Sequence, residues 1–371
     1  MVNIRLNKNY IRKKEKTMKR RTMTKVLSAT MAAAMMASTV CVPVAAEAEG
    51  DRPYYVREAD KVTGKLTVYT TMEETQQQVL QDLWSKYYPD CSLEIQADSI
   101  GTLATKIRSD ESTDADVVIG GLFAADGDSY HDILQPYTAA CDEEQDYHDA
   151  AGYYTFYDVQ VMCLAVNPEL RDELGIKIEG YEDLLQPELE GKIIIAAPDA
   201  SSSGYRQLQT VLATMGDSFD DEKGWDYIKE LIPQTFSSTS SKDVFNLVSN
   251  GEYVAGLSYE SSVVAMINDG APIECVYMKE GNTAMAGGAA IVKTAPNLEA
   301  AQAMMDLLSS AEFQDARAEV SAGRGSNGNC DLKGLPDSDT LGLVDLDYDY
   351  LAEHKDEMIN RFTEMYADLN G

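Results

Sequence analysis

The chain has 371 residues, a length sufficient for two domains of ordinary size. Its hydrophobic content of 44% is normal for a globular protein, which excludes long-range disorder. The formal net charge is −31, and removal of residues 1–46, with ten basic residues and one acidic residue, changes it to −40. Because a surface with that charge repels nucleic acid and anionic lipid, we exclude both as partners.

The first 46 residues have the pattern of a secretory signal peptide. Basic residues at positions 19–25 precede an apolar segment, Val26–Val44, and small residues follow it. Since no second apolar span comes after it, we predict that residues 1–46 are removed on export to the periplasm or cell surface. Met18 is an alternative start of translation, and Cys41 leaves a lipid-modified cysteine open as a second possibility.

Hydrophobic periodicity predicts strands that alternate with helices after a polar tether at residues 47–63. The predicted strands are Lys65–Thr71, Ser92–Gln96, Asp116–Ile119, Val159–Val166, Ile193–Ala197, Tyr253–Tyr259, Ile273–Met278 and Ala289–Val292. The predicted helices include Leu103–Ser109, Tyr130–Tyr137, Tyr205–Met215, Trp225–Ile232, Leu298–Val320 and Tyr350–Leu369. This alternation is typical of an α/β protein with parallel-rich sheets covered by helices.

Hydroxyl-bearing or glycine residues stand at several of the predicted strand-to-helix junctions. A helix start has unpaired backbone N–H groups and the positive end of the helix dipole, so it can hold an anion. In α/β sheets, ligands gather at the carboxyl ends of strands beside such helix starts. The candidate residues are Thr70, Thr71, Glu73, Gly120, Gly121, Ser201, Ser202, Ser203, Thr239, Ser240, Ser241, Tyr259 and Glu260. The alternative interpretation is that individual serines and threonines only cap helices or stabilise turns.

Motifs for catalysis or metal binding are absent from the sequence. It contains no Gly-x-Ser-x-Gly elbow, His-Glu-x-x-His motif or Walker loop. Its three histidines lie in polar stretches and have no partner at metal-ligand spacing. We therefore expect no enzymatic activity, no metal site and no cofactor.

Seven short segments in a fixed order carry a resemblance to a known family. They are Leu66–Glu74, Ala115–Gly121, Ala165–Pro168, Leu189–Ile193, Ala197–Gly204, Gly251–Glu260 and Gly288–Lys293. Because these segments occur in this order, the chain resembles extracellular solute-binding proteins of ABC transporters, in the branch with ferric-ion-binding and organophosphate-binding members. The resemblance runs from about Lys65 to about Gly328.

The resemblance implies the two-lobe periplasmic-binding-protein type 2 fold, an α/β fold with a ligand cleft between the lobes. Two segments would cross between the lobes, near Tyr157–Val161 and Ala284–Gly288, and the lobes would close like a hinged clamp. The N-terminal lobe would consist of residues 64–159 plus 285–371. The C-terminal lobe would consist of residues 160–284.

The ligand prediction depends on the residues that follow the strand ending at Ser258. Ferric-ion-binding relatives carry adjacent tyrosines there, whereas this chain has only Tyr259 before Glu260. Serine and threonine at helix starts suit a phosphate or phosphonate. We therefore predict a monomeric receptor that binds a small anionic, phosphorylated or phosphonate, organic solute and delivers it to an ABC-transporter permease.

The predicted site takes residues from both lobes. The expected hydrogen-bond donors to the anion are Ser201, Ser202, Ser203, Ser240 and Ser241 from the second lobe, with Thr70, Thr71 and Gly121 from the first. Glu260 and Tyr259 would accept from, or pack on, hydroxyls or an amine of the ligand. Arg324 is the preferred cation, because its glycine loop, Gly323–Gly328, can approach a cleft. Arg206 is the weaker candidate, for which we expect a pairing with surface acid.

Three other functions stay open at this stage. The chain could be a ferric-ion receptor on the same fold. It could be a sensor module that presents its ligand to a signalling kinase, since that role also needs only a closing clamp. A cationic amine such as a polyamine also suits the net charge of −40.

Overall fold

The computed structural model describes residues 52–109 and 113–370. The predicted signal peptide at residues 1–46, together with Cys41, lies outside the described residues. Within the described ranges, no helix combines the length and the apolar character needed to cross a bilayer.

Strands and helices alternate along most of the described chain. The strands are β1 Gly64–Thr70, β2 Cys91–Ala97, β3 Val117–Phe123, β4 Leu134–Gln135, β5 Thr155–Val166, β6 Ile193–Ala196, β7 Thr235–Ser238, β8 Ala255–Tyr259, β9 Glu274–Val276 and β10 Ala284–Val292. The α-helices are α1 Glu74–Tyr87, α2 Ile100–Ser109, α3 Pro168–Leu174, α4 Ser202–Met215, α5 Glu222–Leu231, α6 Ser241–Ser249, α7 Glu260–Asn268, α8 Leu298–Leu308, α9 Ala311–Ser321, α10 Tyr348–Glu353 and α11 Lys355–Asn370.

Eight of these ten strands form one continuous path in the order β2-β1-β3-β10-β5-β8-β6-β7, and β4 and β9 pair beside it with β10 and β5. The pairs of β1 with β2 and β3 are parallel, as are the pairs of β6 with β7 and β8, whereas β10 and β5 are antiparallel. Strand β5 has 12 residues, so its first part pairs with β10 and its second part, from Met162 to Val166, pairs with β8. Strands β5 and β10 therefore cross between two α/β lobes, which confirms the predicted two-lobe fold and its crossing segments.

Each lobe has its own hydrophobic core. The buried side chains of the N-terminal lobe include Leu66, Val68, Trp84, Met304 and Phe313. Those of the C-terminal lobe include Leu164, Ile193, Leu208, Trp225 and Leu257. The apolar runs of the central strands are buried because helices cover both faces of a parallel-rich sheet.

Three predicted helices differ from the structure. The segment Tyr130–Tyr137 is a turn followed by the short strand β4, which pairs with the end of β10. The segment Leu298–Val320 is two helices, because the hydroxyl of Ser310 caps a new helix start in the middle. The segment Tyr350–Leu369 is likewise divided, since α10 ends before His354 and α11 begins after it.

The C-terminal helices correct the predicted lobe boundaries. We expected residues 285–371 to belong to the N-terminal lobe, but α10 and α11 pack in the core of the C-terminal lobe through Leu351, Met358 and Phe362. An amphipathic pattern identifies the apolar face of a helix, but it does not identify the core that this face covers.

Residues 52–63, for which we expected a tether, pack on the N-terminal lobe. Val56 and Val62 are buried in its core. Arg57 Nε donates a hydrogen bond to Asp306 Oδ2 at 2.9 Å. The described part of the expected tether is therefore part of the folded lobe.

Candidate functional site

The carboxyl ends of β1 and β3 meet at a cavity of about 130 Å³ beside the crossing strands. Its lining residues are Thr71, Met72, Glu73, Gln76, Gly120, Gly121, Phe123, Tyr157, Asp158 and Gly287. Four predicted site residues of the N-terminal lobe, Thr71, Glu73, Gly120 and Gly121, thus lie together at one cavity. This position follows from the parallel pairing of β1 with β3, which brings their ends to the same sheet edge.

The two glycines at this edge allow the backbone of β3 to pass closely behind Thr71. Both have a positive φ, +80° at Gly120 and +71° at Gly121. A Cβ atom at Gly120 would lie 2.5 Å from Thr71 Oγ1, and one at Gly121 would lie 2.8 Å from Ile100 Cβ. Glycine is therefore required here on two grounds, backbone conformation and space.

Thr70, also a predicted donor, has a structural role instead. Its buried hydroxyl donates to the carbonyl of Ile119 at 2.8 Å and accepts from the N–H of Met72 at 3.0 Å. The hydroxyl proton is therefore used to hold the turn between β1 and α1. Its neighbour Thr71, by contrast, is one of the residues that line the cavity.

Sequence reasoning missed six cavity residues, which are Met72, Gln76, Phe123, Gly287 and, on the crossing strand β5, Tyr157 and Asp158. Burial raises the pKa of the Tyr157 phenol, so its hydroxyl stays protonated and can donate a hydrogen bond. Asp158 Oδ1 forms an ion pair with Arg317 Nη2 at 2.8 Å. Tyr157 and Asp158 could have been predicted from their place in the crossing segment, because the hinge lines the cleft between two lobes.

The start of α4 carries three of the predicted serines. Ser201 is the N-cap, and its Oγ accepts from the N–H of Gly204 at 3.2 Å and lies 3.0 Å from Ser203 Oγ. Ser202 is exposed and Ser203 is half-buried in the first turn. Ser201 therefore acts as a helix cap, and the other two serines remain available to a ligand.

The start of α6 lies across from the cavity of the N-terminal lobe. Ser240 is the N-cap of α6, and its Oγ accepts from the N–H of Lys242 at 3.2 Å. Lys242 Nζ lies 3.8 Å from Glu73 Oε1, which joins the two lobes. Thr239 is exposed and Ser241 is half-buried, and neither lines the cavity.

Glu260 and Arg324 bind each other, so neither side chain is free to bind a ligand. Arg324 Nε and Nη2 each donate to the carboxylate of Glu260 at 2.7 Å, and both side chains are 1% exposed. Tyr277 also donates to this carboxylate. Tyr259 is half-buried and packs edge-on against the Phe245 ring. The expectation that Arg324 and Glu260 contact the ligand is therefore corrected, since neither has a free face.

Arg206 shows the opposite situation. Its guanidinium carbon lies 3.6 Å from the ring centroid of the cavity residue Phe123, and its Nη1 donates to Gln160 Oε1. No carboxylate of the described residues forms an ion pair with it, so the expected pairing with surface acid is reduced to electrostatic attraction from Asp126 and Asp158. Burial lowers the pKa of Arg206 to about 10. Ser202 and Ser203 precede it by four and three residues, so all three share one face of α4.

Residues 121–353, more than half of the chain, match the model of the bacterial extracellular solute-binding protein family. The chain belongs to this family. Such proteins bind small solutes outside the cytoplasm, deliver them to ABC-transporter permeases and are not enzymes. Within the described residues, no group of three or more His, Cys, Asp or Glu side chains is arranged to hold a metal ion.

The chain is also similar to individual proteins and solved structures. A Haemophilus influenzae protein is 26% identical over 264 residues, which cover 68% of this chain and 75% of that protein. The structure of the periplasmic binding protein P5PA is 25% identical with a TM-score of 0.69, covering 82% and 99% of the two chains. The structure of AfuA from Actinobacillus pleuropneumoniae, with fructose-6-phosphate bound, is 24% identical with a TM-score of 0.68 and the same coverage.

Proposed function

We propose that this family member captures a small organic solute with a phosphate or phosphonate group in its interlobe cleft. The single observation that carries the proposal is Arg206, a buried cation that forms no ion pair among the described residues and lies against the cavity residue Phe123. A desolvated guanidinium gains most from an anion, because the anion replaces the lost hydration with charge-assisted hydrogen bonds.

The proposed anion site is built mainly on α4. Ser202, Ser203 and Arg206 share one helix face, and the first turn adds unpaired backbone N–H groups and the positive end of the dipole. The planar guanidinium suits bidentate contact with phosphate oxygens. Thr71 and Gly121 add donors from the N-terminal lobe when the lobes meet over the solute.

The organic part of the solute occupies the cavity in this proposal. Tyr157 offers a protonated hydroxyl there, and Asp158 and Gln76 offer acceptors to hydroxyls or an amine. The predicted signal peptide exports the receptor, which acts as a monomer and delivers the solute to its permease.

A thermal-shift panel on the exported chain, residues 47–371, tests the ligand class. The panel contains sugar phosphates, aminoalkyl phosphonates, inorganic phosphate, ferric salts, thiamine and polyamines. A ligand at one hundred times its Kd adds about 2.7 kcal/mol to the free energy of unfolding, so binding raises the melting temperature. We expect a shift with one of the phosphorylated or phosphonate compounds. A shift with ferric salts or an amine alone contradicts the proposal.

Two variants test the site itself. Ser202→Asp places a negative charge at the start of α4, and we expect it to abolish the shift caused by the anionic compound. Arg206→Met should weaken binding of that compound at least about tenfold by calorimetry. Ser218→Asp is the matched control, because Ser218 is an exposed serine in the loop after α4. Retention of the full shift by Ser202→Asp and Arg206→Met would reject this site.

A further inference from the structure

The chain crosses between the lobes a third time, after α9. Asn282, just before β10, donates its backbone N–H to the carbonyl of Gly342 at 3.2 Å and accepts from the N–H of Val344 at 2.8 Å. Its side-chain amide also donates to the carbonyl of Leu341. Residues 341–344 therefore pair with the hinge as an additional short segment.

This segment also covers the crossing strands with apolar side chains. Leu341 is buried together with Val159 and Val161 of β5, and Leu343 packs against the same cluster. The hydroxyl of Tyr348 at the start of α10 donates to the carbonyl of Ala284 on β10 at 3.4 Å. Residues 341–353, which we name the C-terminal strap, thus contact both crossing strands.

The far end of the strap is fixed to the C-terminal lobe. Leu351 of α10 is buried in the core of that lobe, and its carbonyl accepts from the hydroxyl of Tyr205 on α4 at 3.1 Å. Only three residues, 345–347, separate Val344 from α10, and a chain of that length spans at most about 11 Å. Helix α10 therefore cannot move away from the hinge without breaking its packing.

The strap also touches the N-terminal lobe. Cα atoms of α10 lie within 8 Å of residues Ala124–Asp126, which follow β3. Arg206 and Lys355 of the C-terminal lobe stabilise the carboxylate of Asp126 electrostatically, although burial raises the pKa of this carboxyl. Asp126 therefore interacts electrostatically with cations on α4 and α11, the helices that pack next to α10.

We propose that the C-terminal strap limits how far the two lobes separate in the absence of ligand. Separation of the lobes at this face requires α10 to leave residues 124–126, and α10 is held by the C-terminal core and by the hinge. A restrained receptor spends more time near the binding-competent arrangement. Its apparent affinity is therefore reduced less by the free energy needed to close the cleft.

The test compares ligand-free exported chains by hydrogen exchange and small-angle X-ray scattering. Leu341→Gly removes the side chain that covers β5, and Lys355→Gln removes a charge that faces Asp126. We expect amides of residues 124–126 to exchange about tenfold faster in Leu341→Gly, with a larger radius of gyration, and a smaller change of the same sign in Lys355→Gln. Val320→Ser, at an exposed position of α9, is the control and should match the native chain.

Each outcome decides the proposal. Native exchange rates at residues 124–126 and an unchanged radius of gyration in both variants would overturn it. If Leu341→Gly unfolds, Leu341→Ala, a smaller truncation of the same strap side chain, decides in its place, while Lys355→Gln tests only the charge next to the strap. Faster exchange across the whole C-terminal lobe, rather than at residues 124–126, also counts against the strap.

Discussion

Two buried arginines near the interlobe cleft differ in what surrounds them. Arg324 lies against the carboxylate of Glu260, and both side chains are 1% exposed. Arg206 lies against an amide and an aromatic ring, and no described carboxylate forms an ion pair with it. Burial removes hydration from both cations, but only Arg324 has an opposite charge in direct contact, whereas Asp126 and Asp158 act on Arg206 electrostatically without forming an ion pair. The groups around a buried cation therefore indicate its role better than the loop that carries it. A cation in an ion pair is part of the fold, whereas one without an ion pair can bind an anionic ligand.

The largest effect should come from breaking the compensated pair. Glu260→Ala leaves Arg324 buried without a counter-charge, so we expect the free energy of unfolding to fall by about 3–5 kcal/mol in a urea titration. Glu260→Ala combined with Arg324→Met should recover most of that loss, because no buried charge then remains. A loss below about 1 kcal/mol in the single variant would mean that water reaches this pair.

The arginine without an ion pair should respond in the opposite direction. Arg206→Met removes a desolvated charge, so we expect the free energy of unfolding to stay level or rise by about 1–3 kcal/mol. The pKa of Arg206, about 10 in the fold, and its higher ordinary value both lie above pH 9. Since the side chain is charged in both states from pH 5 to 9, the effect should not vary with pH in this window. A loss of stability would show that stacking on Phe123 and attraction to Asp126 and Asp158 together outweigh desolvation.

A single substitution can convert the second arginine into a copy of the first. Gln160→Glu places a carboxylate where the amide now accepts from Arg206. We expect a gain of about 1 kcal/mol in the free energy of unfolding, because the hydrogen bond becomes charge-assisted. The same variant should bind the anionic solute at least about tenfold more weakly in calorimetry, since the guanidinium is then neutralised. Unchanged affinity would separate Arg206 from the ligand.

The sequence predicted the fold far better than the charged contacts of the site. The order of strands and helices follows from local apolar patterns, and the crossing strands follow from the order of family motifs. The position of Thr71, Gly120 and Gly121 at the cavity could also be predicted from the sequence, because parallel strands bring their ends to one sheet edge. The pairing of Arg324 with Glu260 joins residues 64 positions apart, and no local pattern encodes such a contact. The same reason explains why the core that receives α10 and α11 was assigned wrongly.

The smallest effect should come from the exposed ion pair between the lobes. Lys242 and Glu73 lie 3.8 Å apart, with side chains 71% and 73% exposed. A double-mutant cycle with Glu73→Gln and Lys242→Met should give a coupling energy of about 0–1 kcal/mol that decreases as salt is added. The buried pair of Arg324 and Glu260 should instead couple strongly at every salt concentration, because solvent ions do not reach it. Equal coupling in the two pairs would show that burial does not separate them, and the contrast between the two arginines would then lose its physical basis.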